Sequence, residues 1–475
     1  MLSKMDPESE HVISDKSLAQ EEECNLPSSS TPDIRHEREP TTTNNNPEAD
    51  KEAQTDTRST LTAESAIPPP PDGGLHAWLK VFGGFMIYIN IWGFTLSFGA
   101  FQSYYKTTLL STSSPSAISW IGTVQAWLLI VIGVLSGPLF DLGYFRSMLL
   151  VGNLLIVLGI MMLSLSKTYW QVFLSQGVCM GAGAGMLYIP SLAMVGVWFS
   201  TKRAVALGVV MSGIAVGGVI YITTFNHLVP TSGFPTAIRA LAFIALACAL
   251  LSIPALLSGS AWLKHKRPRR ALFDASALHD RLFIIFTCCS FSTFLGYIVP
   301  YFYIPTYARE QLGSSESTAL YMLVLSIAGS FFGRLVSGVA AHWVGAIVTW
   351  GVCAFASAVL ALCWIGVESE GGFVAFSVLW GFFSAALVTV PSAVFANITP
   401  DLSRLGTRLG MSWSVSSIAS LIGAPIAGAL LKRTDERTNF IGVQVWSGVC
   451  LMIGTCWLVV LWVVTVRTQK NGWRV

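Results

Sequence analysis

The chain has 475 residues, 53% of them hydrophobic and 12% charged, with a formal net charge of +3. A soluble domain carries about 25% charged residues, so this composition excludes a water-soluble globular protein and points to several bilayer-spanning helices. The small net charge hides a division: residues 1–76 hold 6 Lys+Arg against 16 Asp+Glu, and the remaining 399 hold 23 against 10.

Residues 1–76 are rich in Ser, Thr, Asn, Glu and Pro and poor in apolar side chains. Such a segment cannot bury enough apolar surface to offset its ordering entropy, and it reads as a disordered acidic cytoplasmic tail. Its first 60 residues hold no apolar stretch of the kind a secretory signal peptide needs. Apolar runs of spanning length follow near 78–101, 117–140, 147–166, 170–198, 204–228, 238–260, 282–304, 318–341, 346–367, 372–396, 407–431 and 441–466. They predict an all-α integral membrane protein with 12 transmembrane helices.

The basic stretch WLKHKRPRR (262–270) divides the runs into six and six. The expected organisation is an N-terminal half at 77–260, a central loop at 261–281, a C-terminal half at 282–467 and a C-terminal tail at 468–475. An even count puts both termini on one side. With the termini inside, the inner loops and C-terminal tail hold 14 Lys+Arg and the outer loops 7. Basic loops stay cytoplasmic, so both termini are expected in the cytoplasm.

Polar and aromatic residues inside the runs are the candidates for contact with a solute. Helix 1 offers Tyr88, Asn90 and Trp92, helix 2 Gln125, helix 4 Tyr188, helix 7 Tyr297 and Tyr301, and helix 10 Trp380. Asn90 and Gln125 stand out, because a lone amide deep in an apolar run needs a partner; the aromatics are equally compatible with lipid-facing packing. Lys80, near the start of helix 1, reads as an interfacial anchor. After helix 2 comes GPLFDLGYFR (137–146). Gly137 would let two helices approach, Asp141 could pair with a cation or cap a helix, and Gly143 would permit a tight turn before Arg146.

Gly177, Gly181 and Gly185 are spaced by four, as are Gly213 and Gly217. That places small residues on one helix face for close packing. The GAGAG at 181–185 lies inside an apolar run and lacks the spacing of a nucleotide loop. Helix 8, YMLVLSIAGSFFGRLVSGVAA (321–341), contains Arg334, a costly residue at membrane depth. It is either a ligand for an anionic group or a side chain that snorkels or bonds carbonyls at the helix end. The ten acids after residue 76 all fall in loops or at helix ends, and the nine cysteines show no metal or disulfide spacing. With no cluster of His, Cys or carboxylates in the membrane and no GxxxxGK[ST] loop, neither an enzyme, a cofactor, a metal site nor an ATP-driven pump is expected.

Six plus six helices around a basic loop, with the 137–146 stretch as a cytoplasmic gate, resemble the major facilitator superfamily. Several further stretches resemble its monocarboxylate porter family, in the fungal branch. They are PPDGGLHAW (70–78), SFGAFQSYY (97–105), MGAGAGMLYIPS (180–191), WFSTKRAVALGVVMSGIAVGG (198–218), YIPTYA (303–308), FGRLVSG (332–338) and LGTRLGMSWSVSSIASLIGAPIAGALL (405–431).

The resemblance implies a secondary transporter that rocks two halves around a midplane site. Arg334 would be the carboxylate ligand, assisted by Asn90, Gln125, Tyr188, Tyr301 and Trp380, and Gly137, Asp141, Gly143 and Arg146 would form the gate. It also shows departures. His342 stands where the second gate motif wants an aspartate. Ser330 stands where proton-coupled lactate carriers have an aspartate one turn before the arginine, and 93–99 lacks their helix 1 lysine. An aromatic pocket with one cation suits a bulky amphipathic anion better than lactate.

The expected partners are a small organic solute, the bilayer and, as an open question, protons. The expected form is a monomer that binds no nucleic acid, in the plasma membrane. Uptake of a vitamin-like compound and export of a secondary metabolite, charged or not, both fit the branch; a non-transporting receptor is the remote alternative.

Overall fold

The computed structural model describes residues 73–199, 202–258, 273–399, 404–433 and 438–469. The acidic tail, most of the basic central loop and the end of the C-terminal tail lie outside the described residues.

In hydrocarbon every backbone N–H and C=O needs a partner within its own segment, which selects helices. Twelve helices are long and apolar enough to cross a membrane: α1 (Leu75–Leu109), α2 (Pro115–Asp141), α3 (Phe145–Leu163), α4 (Tyr169–Trp198), α5 (Val205–Ser232), α6 (Phe234–Leu257), α7 (Arg281–Glu310), α8 (Glu316–Val344), α9 (Ala346–Gly366), α10 (Glu370–Ile398), α11 (Leu405–Ala429) and α12 (Ile441–Arg467). Local chemistry sets their starts. Ser114, Ser315 and Ser369 cap α2, α8 and α10, and Asp280 caps α7, each accepting a backbone N–H at 3.0–3.2 Å. Gly143 turns the chain between α2 and α3 at φ +90°, the conformation its spacing predicts.

Two features depart from the sequence-based expectation. The apolar runs stop near 101 and 304, yet α1 continues to Leu109 and α7 to Glu310. Their last turns are polar because they bond each other, Lys106 Nζ lying 2.5 Å from Glu310 Oε1. These residues belong to the helices and not to loops. The link from α11 to α12 also contains a short antiparallel ladder, β1 (Lys432–Arg433) with β2 (Thr438–Asn439), which a purely helical reading misses.

We call the end where α1 begins and α12 ends the near face, and the opposite end the distal face. Each of α1–α6 packs on others of that group, as do α7–α12, and the groups meet along α2–α11, α5–α8 and α1–α7. Lipid supplies no hydrophobic drive for helix pairing, so close packing relies on small residues. The expected glycine faces do this. A Cβ on Gly181 would lie 3.0 Å from Gln125 Cα, one on Gly185 2.6 Å from Ile132 Cβ, and one on Gly213 2.6 Å from the Phe85 carbonyl oxygen. Gly137 behaves differently, because a Cβ there would meet only Ile189, at a comfortable 3.8 Å. It does not mediate a close helix approach in this conformation.

Lys80 is no interfacial anchor. It is 1% exposed, and its ammonium donates to the Leu256 carbonyl at 2.6 Å, to Ala255 at 3.2 Å and to Ser258, with the Trp198 ring 5.4 Å away. A cation thus satisfies the orphan carbonyls at the C-terminus of α6, where the helix dipole favours it.

The glycine geometry gives a graded expectation. Gly381→Ala places a methyl on the Ser326 carbonyl between α10 and α8, and should destabilise the protein by about 1–3 kcal/mol. Gly137→Ala should stay within about 0.5 kcal/mol. Thermal unfolding in detergent micelles compares them; equal effects would contradict the packing described.

Candidate functional site

The distal face is closed between the two halves. Besides Lys106–Glu310, Ser119 Oγ and Tyr303 Oη lie 2.8 Å apart, Ser116 Oγ donates to the Pro425 carbonyl at 2.9 Å, and Asn226 Nδ2 donates to Ser317 Oγ at 3.1 Å. The Phe98 and Phe302 ring centroids are 4.6 Å apart. Toward the near face the halves separate around a cavity of about 280 Å³. Its walls are Val134, Gly137 and Pro138 of α2, Ile189 and Leu192 of α4, Leu207 and Met211 of α5, Ser392 of α10, and Gly406, Thr407, Leu409, Gly410 and Trp413 of α11. None of these side chains is ionisable.

Beside this cavity the halves share an aromatic contact. The Tyr188 and Trp413 rings are near-parallel, 14° apart with centroids at 6.0 Å. Trp92 meets Tyr188 edge-on at 5.7 Å, and Tyr88 lies 6.1 Å from it. Tyr188 was singled out in the sequence. Trp413 was not, because one tryptophan in a serine-rich helix carries no periodic signal.

A second cluster lies wholly in the C-terminal half. Arg334 is half-buried, ten residues before the end of α8, which is about 15 Å of helix. Its Nη1 donates to Ser330 Oγ at 3.0 Å, and its buried Nε has no hydrogen-bond partner. Among the described residues it makes no ion pair and bonds no helix-end carbonyl. The exposed face of α8 is formed by Phe332, Leu335, Val336 and Val339, so the guanidinium sits on the interior side. Tyr297 and Tyr301 lie within electrostatic reach of it. Tyr301 Oη is 2.9 Å from Ser384 Oγ, and its ring stands edge-on to Trp380 at 6.3 Å. The structure thus brings Arg334, Tyr301 and Trp380 together.

The two amides have different fates. Asn90 Oδ1 accepts from Tyr221 Oη at 2.7 Å and its Nδ2 donates to the Ala245 carbonyl at 3.0 Å, so both ends are engaged inside the N-terminal half. Both of its partners lie within the same half. Gln125 Nε2 donates to Thr95 Oγ1 at 3.3 Å, while its buried Oε1 has no partner. Of the gate residues, Asp141 is 4% exposed in the last turn of α2, whereas Arg146 is exposed at the start of α3.

Residues that the sequence reading treated only as loop charges anchor one wall of the cavity. Arg408, in the second turn of α11, bonds Asp274 Oδ2 through Nε at 2.9 Å, Asp280 Oδ2 through Nη1 at 3.0 Å and Ser276 Oγ through Nη2 at 3.1 Å. Arg404 Nη1 adds a 3.6 Å contact to Asp274. The Ser276 hydroxyl, then Arg408, hold the Asp274 carboxyl down at about 2. This network ties α11, and with it Trp413, to the segment entering α7.

Residues 81–372 match the family described as Major Facilitator Superfamily. The chain belongs to that superfamily. It is therefore a multi-pass membrane protein and a transporter of small solutes, the function the resemblance in the sequence implied. It is 38% identical to an MFS-type transporter, dbaD, of Emericella nidulans, over 82% of this chain and 89% of that protein. It is 34% identical to the aspyridones efflux protein apdF of the same organism, over 82% and 80%. It is 32% identical to the agnestins efflux protein AgnL12 of Paecilomyces divaricatus, over 86% and 93%.

The Asp274 network is expected to be acid-sensitive. A carboxyl held below its ordinary 3.8 stabilises the fold above that value, and the contribution is lost as pH falls from 3.8 towards about 2. The stability difference between the wild type and Asp274→Asn should be constant at neutral pH and shrink across that window. A pH series of thermal unfolding checks it; a difference unchanged at pH 2 would contradict the network.

Proposed function

We propose that the chain is an efflux carrier for an amphipathic secondary metabolite of the kind made by fungi, and that it belongs to the monocarboxylate porter branch. The observation that carries this reading is the cavity between the halves, open to the near face, apolar-walled and closed distally. The similarity to proteins named for efflux of aspyridones and agnestins supports the outward direction.

In this reading both termini are cytosolic in the plasma membrane, the near face is the loading side, and a monomer completes the cycle. Arg334 holds the acidic group of the solute. A half-buried guanidinium without a counter-charge gains most from a carboxylate that it can bind through two parallel N–H groups. Tyr301 and Trp380 flank that group, and Gln125 Oε1 offers an acceptor in the other half. The turn from Gly137 to Arg146, with Asp141 buried in it, re-forms as a near-face latch when the halves rock together. No carboxylate among the described residues sits mid-helix, so a proton that travels with the solute rides on the solute's own carboxylate or on Asp141.

Transport of 2-naphthoate into proteoliposomes, with and without a pH gradient, tests the role of Arg334. Arg334→Ala should lower the rate at least about tenfold, from loss of a charge-assisted hydrogen bond, while keeping the gel-filtration profile of the wild type. Wild-type rates in Arg334→Ala would sink the carboxylate reading. Cells that express the chain should also retain less 2-naphthoate than cells that lack it; greater retention would mean uptake.

A further inference from the structure

The charge on Arg334 is not part of the near-face cavity, whose walls hold no ionisable side chain. The cavity therefore recognises something other than an anion. Two groups beside it are unsatisfied. The Trp413 N–H makes no hydrogen bond to any described residue, and neither does the hydroxyl of Tyr188, although Tyr188 is only 4% exposed. Each is a donor that a polar group on a bound ligand can engage. The same two residues present aromatic faces, held by different means. Trp92 meets the Tyr188 ring edge-on, and Gly133 leaves room for that ring, since a Cβ there would lie 2.8 Å from Tyr188 Cδ1. Arg408 anchors the helix that carries Trp413.

We infer that the near-face cavity is the subsite for the uncharged body of the solute, and that this body is a planar aromatic ring system bearing hydroxyl or carbonyl groups. The ring lies against Trp413, and its polar edge takes the bonds left open by the Trp413 N–H and the Tyr188 hydroxyl. The volume, about 280 Å³, falls just below the roughly 300–1,000 Å³ of ligand pockets, which suits two or three fused rings and not a macrocycle. Because Tyr188 and Trp413 belong to opposite halves, a ring that lies on Trp413 and bonds the Tyr188 hydroxyl bridges them. The inference deepens the carrier reading and rests on it.

The test is equilibrium binding to the full chain in lipid nanodiscs, with radiolabelled 2-naphthol and with 2-decalol, which has the same carbon skeleton without the aromatic rings. 2-Naphthol should bind at least about tenfold more tightly than 2-decalol. Trp413→Leu should weaken 2-naphthol about tenfold and leave 2-decalol unchanged, and Trp413→Phe, which keeps an aromatic face but loses the N–H, should weaken it by less, about threefold. Trp343→Leu, at an exposed tryptophan ending α8, should change nothing. Thermal unfolding of each variant separates lost binding from lost fold. Equal affinity for the two probes, no measurable binding of 2-naphthol, or full binding by a folded Trp413→Leu protein would each overturn the proposal. Trp413-dependent binding without transport of any aromatic probe would keep the subsite and defeat the carrier reading.

Discussion

The two halves of this protein touch through surfaces that glycine keeps smooth. At each meeting of the halves a glycine from one lies against the other: Gly99 of α1 on the Tyr301 carbonyl, Gly218 of α5 on Ile327, and Gly410 and Gly428 of α11 on Val134 and Ser116 of α2. Contacts of this kind come close without interlocking side chains, so the helices hold each other by dispersion and can change their relative tilt without a large barrier from interdigitated groups. Among the described residues, the cross-half bonds Lys106–Glu310, Ser119–Tyr303 and Asn226–Ser317 all lie at the distal face.

Two chemical environments follow from this layout. In the C-terminal half an arginine lies among tyrosines and serines, with no carboxylate paired to it among the described residues. At the near face the cavity walls hold no ionisable side chain, and an aromatic pair is shared between the halves. On the proposed reading, an amphipathic solute has a partner for each of its ends. The Asp274–Arg408 network and the Lys80 clamp on α6 hold the helices around these sites, and they concentrate charge at helix ends where the backbone leaves groups unsatisfied.

Much of this was legible in the sequence, for a physical reason. A bilayer-spanning helix must be a long apolar run, so the runs gave the number and order of helices, and the spacing by four at Gly177–Gly185 and Gly213–Gly217 gave their contact faces. Gly143 could be assigned its turn because few other residues accept that backbone. Arg334 was conspicuous because charge is rare in such a run. What remained hidden depended on pairing over long sequence separations. Asn90 looks unsatisfied until Tyr221 and the Ala245 carbonyl are placed beside it. Lys106 and Glu310 look like loop charges until the ends of α1 and α7 meet. Trp413 gains its place only when α4 and α11 face each other across the halves.

The account rests on the halves moving as two bodies, with the distal bonds and the near-face cavity as opposite ends of one motion. Spin labels at Tyr144 and Trp343 report the near-face separation, and labels at Trp170 and Ile365 the distal one; all four positions are exposed. Distance distributions would be compared between the intact Lys106–Glu310 pair and Lys106→Ala, in lipid nanodiscs. The account predicts reciprocal changes on breaking the pair, with the distal distance lengthening as the near-face distance shortens. A distal distance that lengthens while the near-face distance stays fixed would contradict it.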